Sequence, residues 1–188
     1  MNLVLASRSP QRRAILTQLG VEFTVRPQAV EELTDGPAAE VALENAYRKA
    51  AAAARGPEET VLGVDTVVAL GRRLYGKPGD EAEARATLQT LAGRRHEVIS
   101  GLCAIGPHGA PRTAAARTGV TFRAFDTGLL DWYLAGGEWR DRAGGYAIQG
   151  RGAALVAAIE GDYFNVVGLP VATLLDLLPQ LLGESARH

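Results

Sequence analysis

The chain has 188 residues, of which 47% are hydrophobic and 22% are charged, and its formal net charge is −1. This near-neutral balance excludes a strongly basic, phosphate-coating nucleic-acid binder, so we expect no stable complex with nucleic acid. No window approaches the run of about 20 apolar residues that spans a bilayer, and the first residues lack the features of a secretory signal. The chain has one cysteine, Cys103, which excludes an internal disulfide. We therefore expect a single cytoplasmic domain over residues 1–188, with Cys103 in its core.

The predicted elements alternate between strand and helix along the whole chain. The first is a strand at 3–6, and the next is a helix with Ser9 as N-cap, Pro10 as first helical residue and Gly20 as C-cap. The later elements are a strand at 22–26, a helix at 37–55, a strand at 61–70, a turn at 71–72 into 73–75, a helix at 80–91, strands at 96–105 and 113–125, a helix at 126–135, a strand at 153–159, a loop at 161–170 and a helix to 182. This order predicts an α/β (α+β) fold with a mixed sheet.

The start of the first helix is unusually basic. Arg12 and Arg13 lie in its first turn, where the positive end of the helix dipole disfavours cations. Together with Arg8 they favour an anion bound between the arginines and the free backbone N–H groups. The segment therefore indicates a phosphate site, and the alternative is that the arginines extend into solvent.

Lysine is rare in this chain. Of the 20 basic residues, 18 are arginine and only Lys49 and Lys77 are lysine. Since an ammonium and a guanidinium are not interchangeable, the two lysines are candidates for a specific role. Chance retention of both is the alternative.

One carboxylate interrupts the apolar strand at 61–70. An ionised Asp65 in such a strand is costly unless it is paired, binds a metal or faces a cleft. A two-residue turn at 71–72 places position 77 opposite position 66, and thus predicts Lys77 beside Asp65. A carboxylate beside an ammonium suits phosphate chemistry, and a structural ion pair is the alternative.

Two loops carry further candidates. Glu31 and Glu32 could hold a metal, although a pair of loop glutamates commonly has no special role. The glycine-rich segment 141–150 lets a ligand approach the backbone closely, and Gln149 within it offers donors and an acceptor to a base edge. The histidines lack the spacing of metal ligands and are expected to be structural or exposed; they are His96, His108 and His188.

These segments together resemble the Maf-like nucleotide pyrophosphatase family over essentially the whole chain. The matching segments are residues 5–13, Glu31, and residues 46–50, 64–68, 76–78, 141–150 and 161–170. Each is weak alone, but their order and spacing are specific, and both lysines fall within them. The resemblance implies an elongated mixed sheet with two lobes around a cleft, as in the inosine-triphosphate pyrophosphatase group. It also implies that the protein often forms a homodimer.

The resemblance further implies a cytoplasmic hydrolase that cleaves nucleoside triphosphates between the α and β phosphates with Mg²⁺ or Mn²⁺ and cleans the nucleotide pool. Asp65 is then the general base or the carboxylate that organises the metal, and Glu31 is a second metal ligand. The residues expected to hold the triphosphate are Ser7, Arg12, Arg13, Lys49 and Lys77. Of these, the two lysines are expected to be catalytic together with Asp65. The residues expected to face the base or sugar are Gln11, Thr66 and Gln149.

The Asp65–Thr66 pair and the Ile-Gln-Gly at 148–150 are similar to the branch of this family that acts on dTTP and UTP. Gln11 stands where that branch has arginine, which predicts a broader preference that includes CTP or modified pyrimidines. The alternative function is a non-catalytic nucleotide- or nucleic-acid-binding regulator of septum formation and cell division. A regulator needs the arginine site but not a carboxylate beside a lysine.

Overall fold

The structure, a computed structural model, describes residues 1–53, 55–107 and 109–183. The strands in these residues are β1 (Asn2–Leu5), β2 (Phe23–Val25), β3 (Glu59–Leu70), β4 (Arg73–Tyr75), β5 (Arg95–Ile105), β6 (Arg112–Phe122) and β7 (Val156–Glu160). They form one sheet in the order β2-β1-β3-β5-β6-β7, with β4 paired to β3. β1 is parallel to β2 and β3, and the other pairs are antiparallel. The predicted mixed α/β class is therefore confirmed.

The helices are α1 (Pro10–Gln18), α2 (Ala38–Ala52), α3 (Glu81–Leu91), α4 (Thr127–Ala135), α5 (Tyr163–Val167) and α6 (Val171–Leu177), with 3₁₀ turns at Ala143–Gly145 and Arg151–Leu155. The predicted cap at Ser9 is confirmed, because its Oγ accepts a hydrogen bond from the Arg12 backbone N–H at 3.5 Å.

Several predicted boundaries near the C-terminus are wrong. The predicted loop at 161–170 contains α5, because the Asp162 carboxylate caps it by accepting the Phe164 N–H at 2.7 Å. α6 ends at Leu177 rather than 182, since Pro179 disfavours the helical conformation of the residue before it. Likewise β6 stops at Phe122, and β7 starts at Val156 after a 3₁₀ turn.

Two glycines bring α2 onto the sheet. A Cβ added to Gly63 of β3 would collide with the backbone carbonyl of Ala46, and one added to Gly101 of β5 would collide with that of Ala42. The helix backbone therefore rests directly on the strand backbones. Gly101 pairs with Asp65 across the sheet, so the carboxylate lies beneath this close contact.

On the other face of the sheet, apolar side chains form two clusters along β3. One cluster contains Leu62 and Val64 and packs against α1 and α6. The other contains Val68 and packs against α3 and α4. Val167 contacts both clusters, which places the C-terminal end of α5 where the two meet.

Two buried titratable groups are structural. Cys103 is fully buried as predicted, and burial raises the pKa of its thiol to about 11. Burial also lowers the pKa of His96 to about 4, and its Nε2 lies 2.9 Å from the Tyr146 hydroxyl. The other two histidines, His108 and His188, lie outside the described residues. Within the described residues, the structure contains no helix that is both long and apolar enough to span a membrane.

Candidate active site

A cavity of about 550 Å³ gathers most of the predicted site residues. It is lined by the start of α1, the loop before α2, parts of α2 and β3, and the segments around residues 77 and 140–149. Predicted site residues that line it are Ser7, Gln11, Arg12, Lys49, Asp65, Thr66, Lys77 and Gln149. Its volume is in the range of sites for small-molecule ligands.

Asp65 and Lys49 form the centre of this cavity's polar lining. The Lys49 Nζ lies 2.6 Å from Asp65 Oδ1 and 2.8 Å from Glu32 Oε1. Both Lys49 and Asp65 are largely buried, with 14% and 9% of their side chains exposed, so water screens this contact weakly. One ammonium thus holds two carboxylates close together, and the trio carries a net charge of −1.

The predicted pairing of Asp65 with Lys77 is wrong. The hairpin register is the predicted one, with Val68 opposite Tyr75. This register places position 77 opposite Thr66, however, and consecutive side chains of a strand point to opposite faces. Asp65 therefore faces α2 and forms an ion pair with Lys49. Lys77 has no carboxylate within ion-pair distance in the described part of the chain.

Asn45, which the sequence analysis missed, holds Asp65 from the other side. Its Nδ2 donates to Asp65 Oδ2 at 3.1 Å and to the Leu33 carbonyl at 2.9 Å. Its Oδ1 accepts the Leu33 N–H at 2.7 Å, which fixes the orientation of the amide. Asn45 is 1% exposed and lies one turn before Lys49 on α2. That i, i+4 spacing from Lys49 is the sequence signal that could have identified it.

Arg12 is bound by the protein itself. Its Nε donates to the Gly168 carbonyl at 2.8 Å, and its Nη1 donates to the Val64 carbonyl at 2.8 Å and to Ser7 Oγ at 2.9 Å. Its Nη2 donates to Thr66 Oγ1 at 3.1 Å. Burial lowers the pKa of Arg12, and the nearby carboxylates act in the opposite direction. These contacts join α1, β3 and the turn after α5, so a contact between Arg12 and phosphate stays a prediction.

The other predicted ligand-facing residues of this region are also hydrogen-bonded. The Thr66 hydroxyl lies 2.8 Å from Ser100 Oγ and accepts from Arg12. Gln11 Oε1 accepts from Ser9 Oγ at 3.0 Å, and its amide N–H₂ donates to no atom of the described residues. We call the residues Ser7, Arg12, Glu32, Asn45, Lys49, Asp65 and Thr66 the interlocked group.

A second group of cavity residues has no such contacts. Neither Lys77 nor Gln149 has a hydrogen bond or ion pair to the described residues, and both are exposed. Arg142, which sequence reasoning did not select, shares this state and is half-buried. We call Lys77, Arg142 and Gln149 the open group.

The open group is nevertheless held on a fixed backbone. The Gly144 N–H donates to the Gly76 carbonyl at 2.9 Å and joins the segment of Arg142 to that of Lys77. Gly144 has a φ of 70° and packs against Val68, where an added Cβ would lie 2.8 Å from Cγ2. Only glycine fits this position easily.

Two predicted residues lie outside the cavity lining. Arg13 is exposed on α1, and Glu31 is exposed with its backbone carbonyl bonded to Arg48 Nη1 at 2.9 Å. The neighbouring Glu32 is the glutamate that lines the cavity. The structure thus favours Glu32 over the predicted Glu31 as the second carboxylate of the site.

The donor set of the interlocked group fits a divalent cation that is shared with a substrate. The described residues contain no cluster of three or more histidine, cysteine or acidic side chains that could hold a metal by itself. Mg²⁺ commonly uses only one or two protein carboxylates together with phosphate oxygens and water. Asp65 and Glu32, with the net negative charge of their trio, meet this requirement.

Comparison with known proteins identifies the family of this chain. A family model described as Maf-like protein matches residues 2–181. The chain belongs to the Maf family. Its relatives include proteins named dTTP/UTP pyrophosphatase. The one from Myxococcus xanthus is 48% identical over 94% of this chain and 90% of that protein. The one from Deinococcus radiodurans is 46% identical over 94% of this chain and 91% of that protein. A relative with the same name in Pyrococcus furiosus is 42% identical over 94% of this chain and 93% of that protein.

Solved structures that resemble this Maf protein include a nucleoside-triphosphatase, dITP/XTP pyrophosphatase, from Mycobacterium abscessus. It is 20% identical, covers 65% of this chain and 74% of its own, and has a TM-score of 0.42.

Proposed function

We propose that this Maf protein hydrolyses dTTP and UTP to the nucleoside monophosphate and pyrophosphate. The observation that carries the proposal is the buried Asp65, held on one oxygen by Lys49 and on the other by Asn45. It lies at the wall of a cavity that also contains two cations, Lys77 and Arg142, with no ion pair to the described residues. Relatives named dTTP/UTP pyrophosphatase, which match nearly the whole chain, support the same substrates.

The chemistry follows from where charge develops. A water oxygen bonds to the α-phosphorus, the bond from the α-phosphorus to the bridging oxygen breaks, and pyrophosphate leaves with that oxygen. Negative charge grows on the phosphate and leaving oxygens, so positioning and cationic stabilisation provide most of the acceleration. Asp65 accepts the proton of the attacking water. Lys49 and Asn45 fix the carboxylate, and Lys77 is free to neutralise phosphate charge.

Asp65 and Glu32 would hold the divalent metal, Mg²⁺ or Mn²⁺. When bound, this ion supplies positive charge to the phosphate oxygens. Because Asp65 and Glu32 supply two carboxylates and the remaining ligands would be phosphate oxygens and water, we expect the metal to bind tightly only together with the nucleotide.

Base preference rests on three residues of the cavity. Thymine and uracil present an acceptor–donor–acceptor edge, and the free amide of Gln149 matches part of it with one donor and one acceptor. The Thr66 hydroxyl is fixed by Arg12 and Ser100, and the Gln11 amide N–H₂ supplies a neutral donor where an arginine would supply a charge. We expect this neutral donor to widen the preference toward CTP or modified pyrimidines.

The test is a panel of nucleoside triphosphates with Mg²⁺, with Mn²⁺ and with chelator, in which every phosphate product is identified. We expect dTTP and UTP to give monophosphate and pyrophosphate in the presence of metal. Diphosphate and orthophosphate as products would place cleavage at the β–γ bond and refute the proposal. Nucleotide binding without turnover would favour the non-catalytic regulator.

Three further expectations accompany this proposal. We expect residues 1–188 to act as one domain in the cytoplasm, as a homodimer. Light scattering of the purified protein reports the subunit number, and fractionation of cells reports the compartment. A monomeric mass at assay concentration would contradict the homodimer without affecting the assigned reaction.

A further inference from the structure

Arg142 is a charged, half-buried residue whose side chain has no hydrogen-bond or ion-pair partner among the described residues. It lines the cavity and is half-buried, and its Nε is buried without a hydrogen-bond acceptor. Within the described residues, its guanidinium makes no hydrogen bond and no ion pair. Burial lowers the pKa of Arg142 against weaker opposing effects of Tyr133, Asp141 and Glu138. A guanidinium removed from water in this way is unfavourable unless an anion or several acceptors meet it.

The other cavity-lining arginines do not share this state. Arg12 is fully buried but has four protein acceptors, as described above. The Arg140 guanidinium lies 4.5 Å from the ring centroid of Trp139, a cation–π contact. Arg8 is exposed to water. Within this cavity, a half-buried guanidinium with no protein partner is therefore specific to Arg142.

The backbone before Arg142 supports a role in ligand binding. Asp141 has a φ of 59°, and it is the non-glycine residue with positive φ in the described chain. Such conformations concentrate at ligand sites, where the surrounding structure maintains them. Just after Arg142, the bond between Gly144 and Gly76 connects this segment to the one that carries Lys77.

We propose that Arg142 is a further substrate-binding residue, which donates guanidinium N–H groups to phosphate oxygens of the nucleoside triphosphate alongside Lys77. A planar guanidinium matches two phosphate oxygens at once, and its charge compensates the charge of the ligand. The inference rests on the proposed function for the identity of the substrate. Apart from that identity, the inference requires only that a phosphate group of the ligand contacts the open group.

The test compares Arg142→Ala and Arg142→Lys with the wild type. We measure kcat and KM for dTTP, and the calorimetric affinities for pyrophosphate, dTMP and thymidine. For Arg142→Ala we expect a rise in KM of about 10- to 100-fold, the range for losing charge-assisted hydrogen bonds. We expect the affinity for pyrophosphate, for dTMP or for both to fall by a similar factor. The product that is affected identifies the phosphate that Arg142 contacts. The affinity for thymidine, which has no phosphate, is expected to be unchanged. Arg142→Lys recovers part of the loss, because it restores the charge but not the paired donors.

Arg151→Ala is the matched control. Arg151 is exposed, lies outside the cavity lining and stacks over Trp132 at 5.1 Å, so its loss removes the same charge from a nearby surface. We expect its KM to match that of the wild type. An equal rise in KM for both variants would indicate a general charge effect and overturn the proposal.

Further outcomes would overturn the proposed role of Arg142 in binding phosphate. Unchanged KM and unchanged product affinities in Arg142→Ala would overturn the proposal, as would a loss of thymidine affinity with phosphate affinity retained. If Arg142→Ala fails to fold, Arg142→Met, which keeps the apolar stem, takes its place. Absence of wild-type turnover would refute the proposed function alone, because pyrophosphate and dTMP binding still report whether Arg142 contacts phosphate.

Discussion

Two groups of polar side chains line the same cavity in opposite states. In the interlocked group, Arg12, Asn45 and Lys49 meet acceptors that the protein supplies. In the open group, the described residues supply no partner for Lys77, Arg142 or Gln149. The first group is positioned before any ligand arrives, whereas the second has its hydrogen-bonding capacity free for one. We therefore expect changes in the interlocked group to affect kcat and stability, and changes in the open group to affect KM and selectivity. Changes at Lys77 should also lower kcat, because its charge stabilises the negative charge that grows on the phosphate.

The largest effect is expected from Asp65→Asn. Removing a general base typically lowers the rate by about 10²–10⁴, and the isosteric amide keeps the space filled between Lys49 and Asn45. We expect kcat for dTTP to fall in this range while circular dichroism is unchanged. Near-normal turnover with a much lower Tm would show that Asp65 is only a member of a structural ion pair.

Arg12→Ala is expected to reduce stability more than substrate affinity. The substitution leaves the buried carbonyls of Val64 and Gly168 without donors, at a cost of about 1–3 kcal/mol for each. Arg12→Lys should recover little, because one ammonium cannot reach both carbonyls and two hydroxyls. Urea denaturation measures the free energy of unfolding. A large rise in KM at unchanged stability would instead assign Arg12 to the triphosphate, and the two groups would no longer be distinct.

Asn45→Asp tests whether Asn45 positions the Asp65 carboxylate or only fills space in the core. The carboxylate keeps the size of the amide but cannot donate to Asp65 or to the Leu33 carbonyl. We expect kcat to fall by at least about tenfold, because Asp65 loses one buried hydrogen bond and gains a like charge beside it.

Asn165→Asp is the matched control for Asn45→Asp. Asn165 is also fully buried, but its amide donates to the Val98 carbonyl and Thr118 at 3.0 Å. We expect this variant to lose stability at unchanged kcat. If both variants lose only stability, Asn45 has no effect on Asp65 beyond folding.

Part of this division follows from the sequence, and part does not. The strand pattern and the turn at 71–72 predicted the sheet and the hairpin register correctly. The dipole argument predicted an anion beside Arg12, and that anion stays a prediction, whereas the acceptors that the structure shows include carbonyls 52 and 156 residues away in the chain. Local patterns report which groups need partners, whereas only the tertiary fold decides whether the protein or a ligand supplies them.

The same limit explains the errors at individual residues. The alternation of side chains assigns Asp65 and Thr66 to opposite faces, but the face covered by α2 is a tertiary property. The choice between Glu31 and Glu32 depends on how a loop without regular structure is held, here by the bonds between Leu33 and Asn45. No periodic pattern encodes that loop.

The smallest effect is expected from Gln149→Ala. An unpaired group costs about 1–3 kcal/mol when buried, and because Gln149 is exposed we expect the lower end of this range, about a fivefold change in relative kcat/KM. The comparison uses dTTP, UTP, CTP, GTP and 7-methyl-GTP. Wild-type enzyme that works best on 7-methyl-GTP, or an unchanged ranking in Gln149→Ala, would show that Gln149 does not read the base.

Because α2 lies so close to Gly63 and Gly101, Asn45 and Lys49 on this helix are held rigidly relative to Asp65 on β3. Elsewhere in a core, a layer of side chains can change rotamers and absorb a small displacement, but here backbone rests on backbone and no such layer exists. One methyl group at either glycine would have to lift the helix as a rigid body, and Asn45 and Lys49 would move with it. In this protein, adding a single methyl group at a glycine can therefore separate Asp65 from Asn45 and Lys49, although none of these three residues is changed.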